Sequence, residues 1–340
     1  MAVTIKDVAK RANVATSTVS RVIQDSPKIS EATKARVRKE MKALGYEPNY
    51  SAQSLANRVT QSIGIIMPES DVAIFQNPFF PESLRGISEW VNEHNYTLSI
   101  VTGKTSDELL SRVKLMTRTG RVDGYIVLYS KQKDSIVEYL HKEKIPYTVI
   151  GKPQQFVSET THVDNDNYQA AKDVVTYLTG LNHQRIAYVG GDHEHIVNIE
   201  RLRGYQDALR EAGWPLPKEY VVRESFNLED MRTLLQATPP PTAMIVSDDL
   251  VAMAVQKMLS QLGVSMPEQL SMVSFNNLML AELMNPPLTS VDIDIFTLGY
   301  QAAKSLIEKI EDPKELTKHI IVPHRIVERK SSQALLSSKE

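Results

Sequence analysis

Apolar residues at Ile5, Val8, Ala9 and Ala12 recur at helical spacing, so the chain opens on a short amphipathic helix. Thr4 stands at its cap position and Asp7 at the capping-box position three residues on. Asn13 tolerates a left-handed turn. A second helical pattern then carries Val14, Val19, Val22 and Ile23 on one face and Thr16, Ser17, Ser20 and Arg21 on the other. A third helix is predicted from a Ser30 cap to about Leu44, with Gly45 placed to end it. Any one of these helices reads equally well as part of an ordinary small bundle. Two short helices joined by a tight turn and backed by a third form a helix-turn-helix layout, whose second helix enters the major groove. The small, hydroxylated and cationic face of the second helix fits that role better than a solvated Glu/Lys face does.

Beyond residue 60 the pattern changes. Gln61 to Pro68 reads as a buried strand closed by proline. Helical stretches follow near 80–95 and 106–119, around strands near 98–102 and at Gly124–Leu128. Further strands are predicted at Tyr147–Ile150, Arg185–Val189, Met244–Val246, Met272–Phe275 and Leu288–Val291. Apolar strands alternating with helices give parallel sheets wound on both faces. About ten such units exceed one sheet of ordinary size, so two lobes are expected, with a cleft at the C-terminal ends of their strands.

Charge separates the same two regions. Residues 1–60 carry six Lys and five Arg against two Asp and three Glu, a balance of +6, and the net −2 of the whole chain leaves −8 for the remaining 280 residues. A basic head on an acidic body suits a polyanionic partner, although charge alone is equally consistent with a solvated face. The absence of cysteine excludes disulfides, thiolate metal sites and cysteine nucleophiles. No apolar run approaches the roughly 18 residues of a membrane span, and MAVTIKDVAK lacks the apolar core of a secretory signal. The expectation is a cytoplasmic protein with no membrane partner.

The ordered run T-I-K-D-V-A-K-R-A-N-V-A-T-S-T-V-S-R-V-I resembles the opening of the LacI/GalR family of bacterial repressors. Tyr46, Pro48, Asn49 and Ala52-Gln53-Ser54-Leu55-Ala56 are similar to its hinge segment. The resemblance implies that Thr16 and Ser17 read the operator, with Thr18, Ser20 and Arg21 at phosphate- and base-contacting positions. It carries the operator-binding role also to Thr4, Ser30, Thr33, Asn49, Ala52, Leu55 and Ala56. Leu55 would wedge into a minor-groove step. Asn49 would cap a hinge helix too short to stand alone in water, which its two-fold mate and the DNA would support. One position departs from the pattern: Ala15 stands where the family usually has a capping Ser, and Thr16 is the expected substitute.

The implied fold is an all-α helix-turn-helix DNA-binding head plus an α/β two-lobed periplasmic-binding-protein-like effector domain. The expected divisions are 1–46 for the head, 47–60 for the hinge, 61–332 for the effector domain and 333–340 for a tail. Lobe 1 would hold about 61–161 and 291–320, and lobe 2 about 162–290 and 321–332, with Thr289 to Asp292 in a crossover. The expected partners are a palindromic operator, a second copy of the chain and a small-molecule effector.

A sugar site needs Asp, Asn and Arg to hydrogen-bond hydroxyls and an aromatic to stack on the ring. By resemblance the candidates are Phe79, Phe80, Asp164, Arg201, Asp248 and Asn276. Asp164 and Asp248 read equally as helix caps, one phenylalanine as core, and Arg203 stands as near as Arg201. Asn276 replaces the usual Asp of the family. The head and the segments Asn77–Phe80 and Val163–Asn167 are most similar to maltose-operon regulators, which implies maltose or a maltodextrin as effector. A different sugar, a nucleobase or a corepressor protein remains an alternative.

A sugar-acting enzyme is the competing class. The chain has no G-x-S-x-G, no Walker loop and no G-x-G-x-x-G after a strand. Gly190-Gly191-Asp192-His193-Glu194-His195 offers only a weak H-x-H signal and is expected as a solvated loop. No catalytic residue, metal or cofactor is assigned.

Overall fold

The computed structural model describes residues 3–23, 25–47, 59–68, 76–223 and 225–335. The chain divides into two compact units, residues 1–60 and 61–340.

The first unit holds α1 (Ile5–Ala12), α2 (Thr16–Ile23) and α3 (Glu31–Leu44). Thr4 opens α1, its backbone N–H and its hydroxyl donating to the Asp7 carboxylate at 2.9 and 2.7 Å. Asn13 closes the helix in the left-handed conformation, with φ 52°. Ser30 accepts from the Thr33 N–H at 3.4 Å, and Gly45 ends α3 with φ 61°. Val8, Ala9, Ala12, Val19, Val22 and Val37 form the buried core, which is the apolar face read from the sequence. Arg11 pairs with Glu40 at 2.6 Å and ties α1 to α3. Lys34, buried among them, is held by Glu31 at 2.9 Å and Asp25 at 3.1 Å.

The second unit contains two six-stranded sheets. The first runs β1 (Ser62–Ile66), β2 (Thr97–Val101), β3 (Gly124–Val127), β4 (Tyr147–Ile150), β5 (Thr161–Asp164) and β11 (His319–Ile321), in spatial order β11-β5-β4-β3-β1-β2, all parallel. Its helices are α4 (Phe79–Glu93), α5 (Ser106–Arg118), α6 (Ser135–Lys142) and α12 (Ile295–Glu311). The second sheet runs β6 (Ile186–Val189), β7 (Val221–Val222), β8 (Ala243–Val246), β9 (Ser271–Phe275), β10 (Thr289–Asp292) and β12 (Arg325–Val327), in order β12-β10-β9-β8-β6-β7. Only β12 is antiparallel to its neighbour. With it go α7 (Asn167–Gly180), α8 (Ile196–Glu211), α9 (Leu228–Leu235), α10 (Asp249–Gln261) and α11 (Met279–Leu283).

Glycine sets the closest helix approach in each lobe. A Cβ on Gly86 of α4 would stand 2.1 Å from the Phe296 carbonyl oxygen of α12, and one on Gly299 would stand 2.2 Å from that of Ser83. In the second lobe a Cβ on Gly204 of α8 would stand 2.2 Å from the Tyr168 carbonyl oxygen of α7. Backbone packs on backbone there, and no other residue fits without moving a helix.

The chain crosses between the lobes after β5, after β10 and after β11. The side-chain amide of Asn165, in the first crossing, donates to the carbonyls of Ile293 in the second and Val322 in the third, both at 2.9 Å. One buried amide thus fastens all three strands of the hinge between the lobes.

The strands move the expected divisions. Thr161–Asp164 is a strand of the first sheet, so the first crossing follows residue 164 rather than 161. Thr289–Asp292 is a strand of the second sheet, and the crossing begins at Ile293. The strand predicted at Leu288–Val291 is thus β10 displaced by one residue, whereas β5, Thr-His-Val-Asp, carries too weak an apolar signal to be read as a strand. The three-residue β11 and β12 and the two-residue β7 are too short to show a strand period. The body also extends past the expected end at 332. His183 Nε2 lies 3.0 Å from the Gln333 carbonyl, and the Leu335 N–H donates to Leu181 at 2.8 Å.

Candidate functional site

On the head, Thr16, Ser17 and Arg21 of α2 are exposed, and Thr18 and Ser20 are half-buried. Val19 and Val22 are anchored in the core beneath them. Among the described residues Arg21 takes part in no ion pair, so its guanidinium is available to a partner. Thr4, Ser30 and Thr33 already have local partners: Thr4 bonds Asp7, and the Ser30 and Thr33 hydroxyls lie 3.0 Å apart. Asn49, Ala52, Leu55 and Ala56 lie outside the described residues.

The substitute cap at Thr16 is not formed. The Ala15 carbonyl accepts from the Thr18 and Val19 N–H groups at 2.9 and 3.2 Å, so Ala15 itself holds the cap position and Thr16 is the first helical residue. The capping side chain is absent because alanine has no acceptor.

In the second unit a cavity of about 230 Å³ lies between the lobes. Phe79, Phe80, Asp164, Arg201, Asp248 and Asn276 all line it. They come from the ends of β5, β8 and β9, the start of α4 and the second turn of α8, so the fold and not chain proximity brings them together. Asn77 accepts from the Phe79 N–H at 3.0 Å, which turns the chain into α4. The two phenylalanine rings meet edge to face at 5.3 Å, and both reach the cavity while also packing on the core.

Arg201 is only 3% exposed and lines the cavity, whereas the Arg203 side chain is 64% exposed, lies 3.7 Å from Asp207 and does not line it. The Arg201 Nε donates to Asn167 Oδ1 at 2.9 Å, Nη1 to the Ser247 carbonyl at 2.7 Å and Nη2 to Asn276 Oδ1 at 3.4 Å. The guanidinium also lies over the Phe275 ring, 4.2 Å from its centroid. Among the described residues these bonds engage three of its five N–H donors, and the other two have no protein acceptor. Asn276 reaches its place with φ 98°, a conformation that asparagine tolerates better than most residues.

Asp248 both caps and lines. Its carboxylate accepts from the Val251 N–H at 2.8 Å at the start of α10, and its side chain borders the cavity. Asp164 does not cap a helix, because Asp166 caps α7 through the Gln169 N–H at 2.9 Å. Asp164 instead accepts from the Asn167 amide at 3.0 Å. Burial pushes the Asp164 carboxyl up to about 7 and raises that of Asp248. Asp249, fully buried behind them, is pushed by burial to about 6 and is held by Ser290 Oγ at 2.7 Å, the Leu278 N–H at 2.6 Å and Ser274 Oγ.

The sequence did not point to Tyr129, Ser130, Lys152 or Asn198, and named Asn167 and His195 only within longer segments, yet all six border the cavity. The Gly190–His195 segment is the loop expected, with His193 and Glu194 exposed, but it is tightly ordered. Its turn is closed by Asp192, which accepts from the Glu194 and His195 N–H groups at 2.8 and 2.7 Å and from the Asn198 amide at 2.9 Å. Its backbone then pairs with the opposite lobe. Lys131 and His195 form an antiparallel bridge, Gln132 N–H donates to Glu194 at 3.1 Å, and Ile196 N–H donates to Ser130 at 2.9 Å. Backbone pairing leaves no side-chain pattern, so nothing in the sequence announced it. No group of three metal-ligating side chains occurs among the described residues, and no helix among them is long and apolar enough to cross a membrane.

Residues 4–49 match the bacterial regulatory proteins of the lacI family, and residues 175–332 match the periplasmic binding protein-like domain. The HTH-type transcriptional regulator MalR of Streptococcus pneumoniae is 36% identical over 341 residues, covering 97% of this chain and all of that protein. The solved complex of the transcriptional regulator CelR with cellobiose aligns over 97% of this chain and all of that chain, with 27% identity and a TM-score of 0.75. The lac repressor dimer bound to operator shares the fold over 98% of this chain at 23% identity, with a TM-score of 0.80. A helix-turn-helix head joined to a two-sheet, periplasmic-binding-protein-like body, with sequence similarity along almost its whole length, makes this chain a member of the LacI family of bacterial transcriptional regulators.

Proposed function

We propose that the chain is a maltose-responsive repressor of a carbohydrate-utilisation operon, acting as a homodimer on a palindromic operator. The observation that carries the sugar reading is the convergence of Phe79, Phe80, Asp164, Arg201, Asp248 and Asn276 on one cavity between the lobes. The lining sets Asp164, Asp248 and Glu200 against Lys152 and Arg201, a balance without excess positive charge that suits a neutral polyol, which offers both donors and acceptors. The phenylalanine pair supplies an apolar face for a sugar ring. The cavity lies just below the usual range of roughly 300–1,000 Å³ for ligand sites, so a disaccharide would fill it and press on both lobes. Similarity to MalR over nearly the whole chain, and to a solved probable maltose operon transcriptional repressor, supports maltose or a maltodextrin as the sugar. Similarity to regulators rather than to hydrolases or dehydrogenases argues against turnover.

On the head, α2 would lie in the major groove, with Thr16, Ser17 and Arg21 toward bases and phosphates. Dimerisation is supported by apolar side chains left exposed on the body, among them Met279 at 73% and Leu283 at 71% on α11. A ligand changes operator affinity only through its differential affinity for the free and DNA-bound states. Titrating the full-length protein with operator DNA, with and without maltose, tests the assignment. Weaker operator binding in maltose is expected. Identical curves would remove maltose as the effector, and tighter binding would make it a corepressor.

A further inference from the structure

Two opposite charges face the cavity, Asp164 from the end of β5 and Arg201 from α8, yet no ion pair joins them among the described residues. Asn167 stands between them in the first turn of α7, itself buried. Its Oδ1 accepts from Arg201 Nε at 2.9 Å and its Nδ2 donates to Asp164 Oδ1 at 3.0 Å. The same Nδ2 lies 3.3 Å from the Asn165 carbonyl, which fixes the plane of the amide. This orientation is dictated by chemistry. A guanidinium can only donate and an ionised carboxylate can only accept, so the amide has one way to satisfy both. A hydrocarbon side chain would leave two buried groups unsatisfied, and a carboxylate would face Asp164 with like charge.

Resting on the sugar reading above, we propose that Asn167 is a positioning residue. It acts as an amide spacer that keeps Asp164 and Arg201 from neutralising each other and so leaves both open to adjacent hydroxyls of the ligand. A direct Asp–Arg pair would turn the strongest acceptor and donor of the cavity toward each other. The sugar would then have to break that pair in a low-dielectric site before binding. With the spacer in place, the carboxylate accepts from one hydroxyl and the guanidinium donates to a neighbouring oxygen. The other charged groups around Asp164 are Lys152 from the loop after β4 and Asp166 beside it, neither of which bonds to Asn167.

The test follows the Asp164 carboxyl by carbon-13 NMR in the ligand-free full-length protein, with Asp164→Asn to assign the signal, in wild type, Asn167→Ala and the isosteric Asn167→Asp. Loss of the spacer should let Arg201 draw the titration midpoint down from near 7 by about one pH unit or more. Asn167→Asp should move it up, because a second carboxylate shares the site. A role confined to structure would not move the two midpoints in opposite directions. Midpoints unchanged, or moved the same way, would overturn the proposal. Maltose titration calorimetry runs beside it, with a loss of about tenfold or more expected in both variants. Wild-type-like maltose affinity in either variant would overturn the positioning role. Split midpoints in a protein that does not bind maltose would support the spacer and sink the sugar reading instead.

Discussion

The exposed face of α2, proposed to read the operator, and the wall of the cleft carry similar groups, hydroxyls, amides and arginine, in opposite states of engagement. On α2, Thr16, Ser17 and Arg21 stand exposed on a helix held only from beneath. In the cleft, Arg201 is buried and already directs three donors at protein acceptors, one of which is held in turn by Asp164. The physical difference lies in the partner. A polyanion brings its own long-range field and its own counterions to release, so mobile cationic side chains suffice to meet it. A neutral sugar exerts no such field, and its recognition depends on donors and acceptors fixed in advance.

Arg201→Ala breaks the comparison hardest. Removing a buried, multiply bonded guanidinium should lower maltose affinity by roughly 2–4 kcal/mol, read by titration calorimetry, while the ligand-free protein still binds operator. Arg201→Lys should not restore the response, because an ammonium cannot serve Asn167, Ser247 and Asn276 at once. Loss of operator binding in Arg201→Ala would show that the cleft and the reading face are not separable.

The mirror experiment is Arg21→Ala. An exposed arginine meeting DNA should cost operator binding about 1–3 kcal/mol, and a phosphate contact should also lower the salt slope by about one. Maltose affinity should not change. A base contact would show itself differently, as relaxed preference at one operator position with the salt slope retained, measured by anisotropy on substituted operators.

The same contrast decides what the sequence could reveal. The head's core and caps lie within forty-five consecutive residues, so the spacing of Val8, Val19 and Val22, the Ser30 cap and the Gly45 stop were all legible. In the body, the long apolar strands and their alternation with helices gave two sheets and a cleft, and family resemblance led to Arg201 and Asp248. Asn167 does not stand out from its segment in the sequence, because an amide next to a helix start is commonplace until Arg201 is known to lie against it. The pairing of Lys131 with His195 was beyond reach, since it joins backbones 64 residues apart. Asp164, which read equally as a cap, needed the structure to show that Asp166 does the capping.

A smaller effect tests how far the cleft is built for binding at the expense of folding. Burial raises Asp164 from 3.8 to about 7, so between those values the folded state holds a proton that the unfolded chain has released. Its contribution to stability therefore falls as pH rises through that window and is flat above it. Asp164→Asn should remove the decline, melting like wild type at pH 4 and progressively higher than wild type as pH rises towards 8. Maltose affinity of the wild type should run the other way. A sugar hydroxyl donates best to the ionised carboxylate, so binding should strengthen as pH rises through 7. Parallel pH slopes for stability and affinity would mean that Asp164 does not accept from the ligand.

The smallest effect concerns the one place where the head lacks a local rule. Ala15 holds the cap position of α2 without an acceptor, so the first N–H groups of that helix have no side-chain partner in the cap. Ala15→Ser should stabilise the head by about 1 kcal/mol, seen as slower amide exchange at Ser17 and Thr18. Operator affinity then separates two reasons for the alanine. If the bare helix start is merely an unoptimised terminus, the serine raises stability and leaves operator binding alone. If those N–H groups are kept for an operator phosphate, which a helix N-terminus binds well, the serine hydroxyl competes for them and operator binding weakens although the head is more stable. The expected outcome is the first, because the available Arg21 side chain already offers the operator a charge. A clear loss of affinity would place the start of α2 with the cleft, among groups set in advance for a ligand.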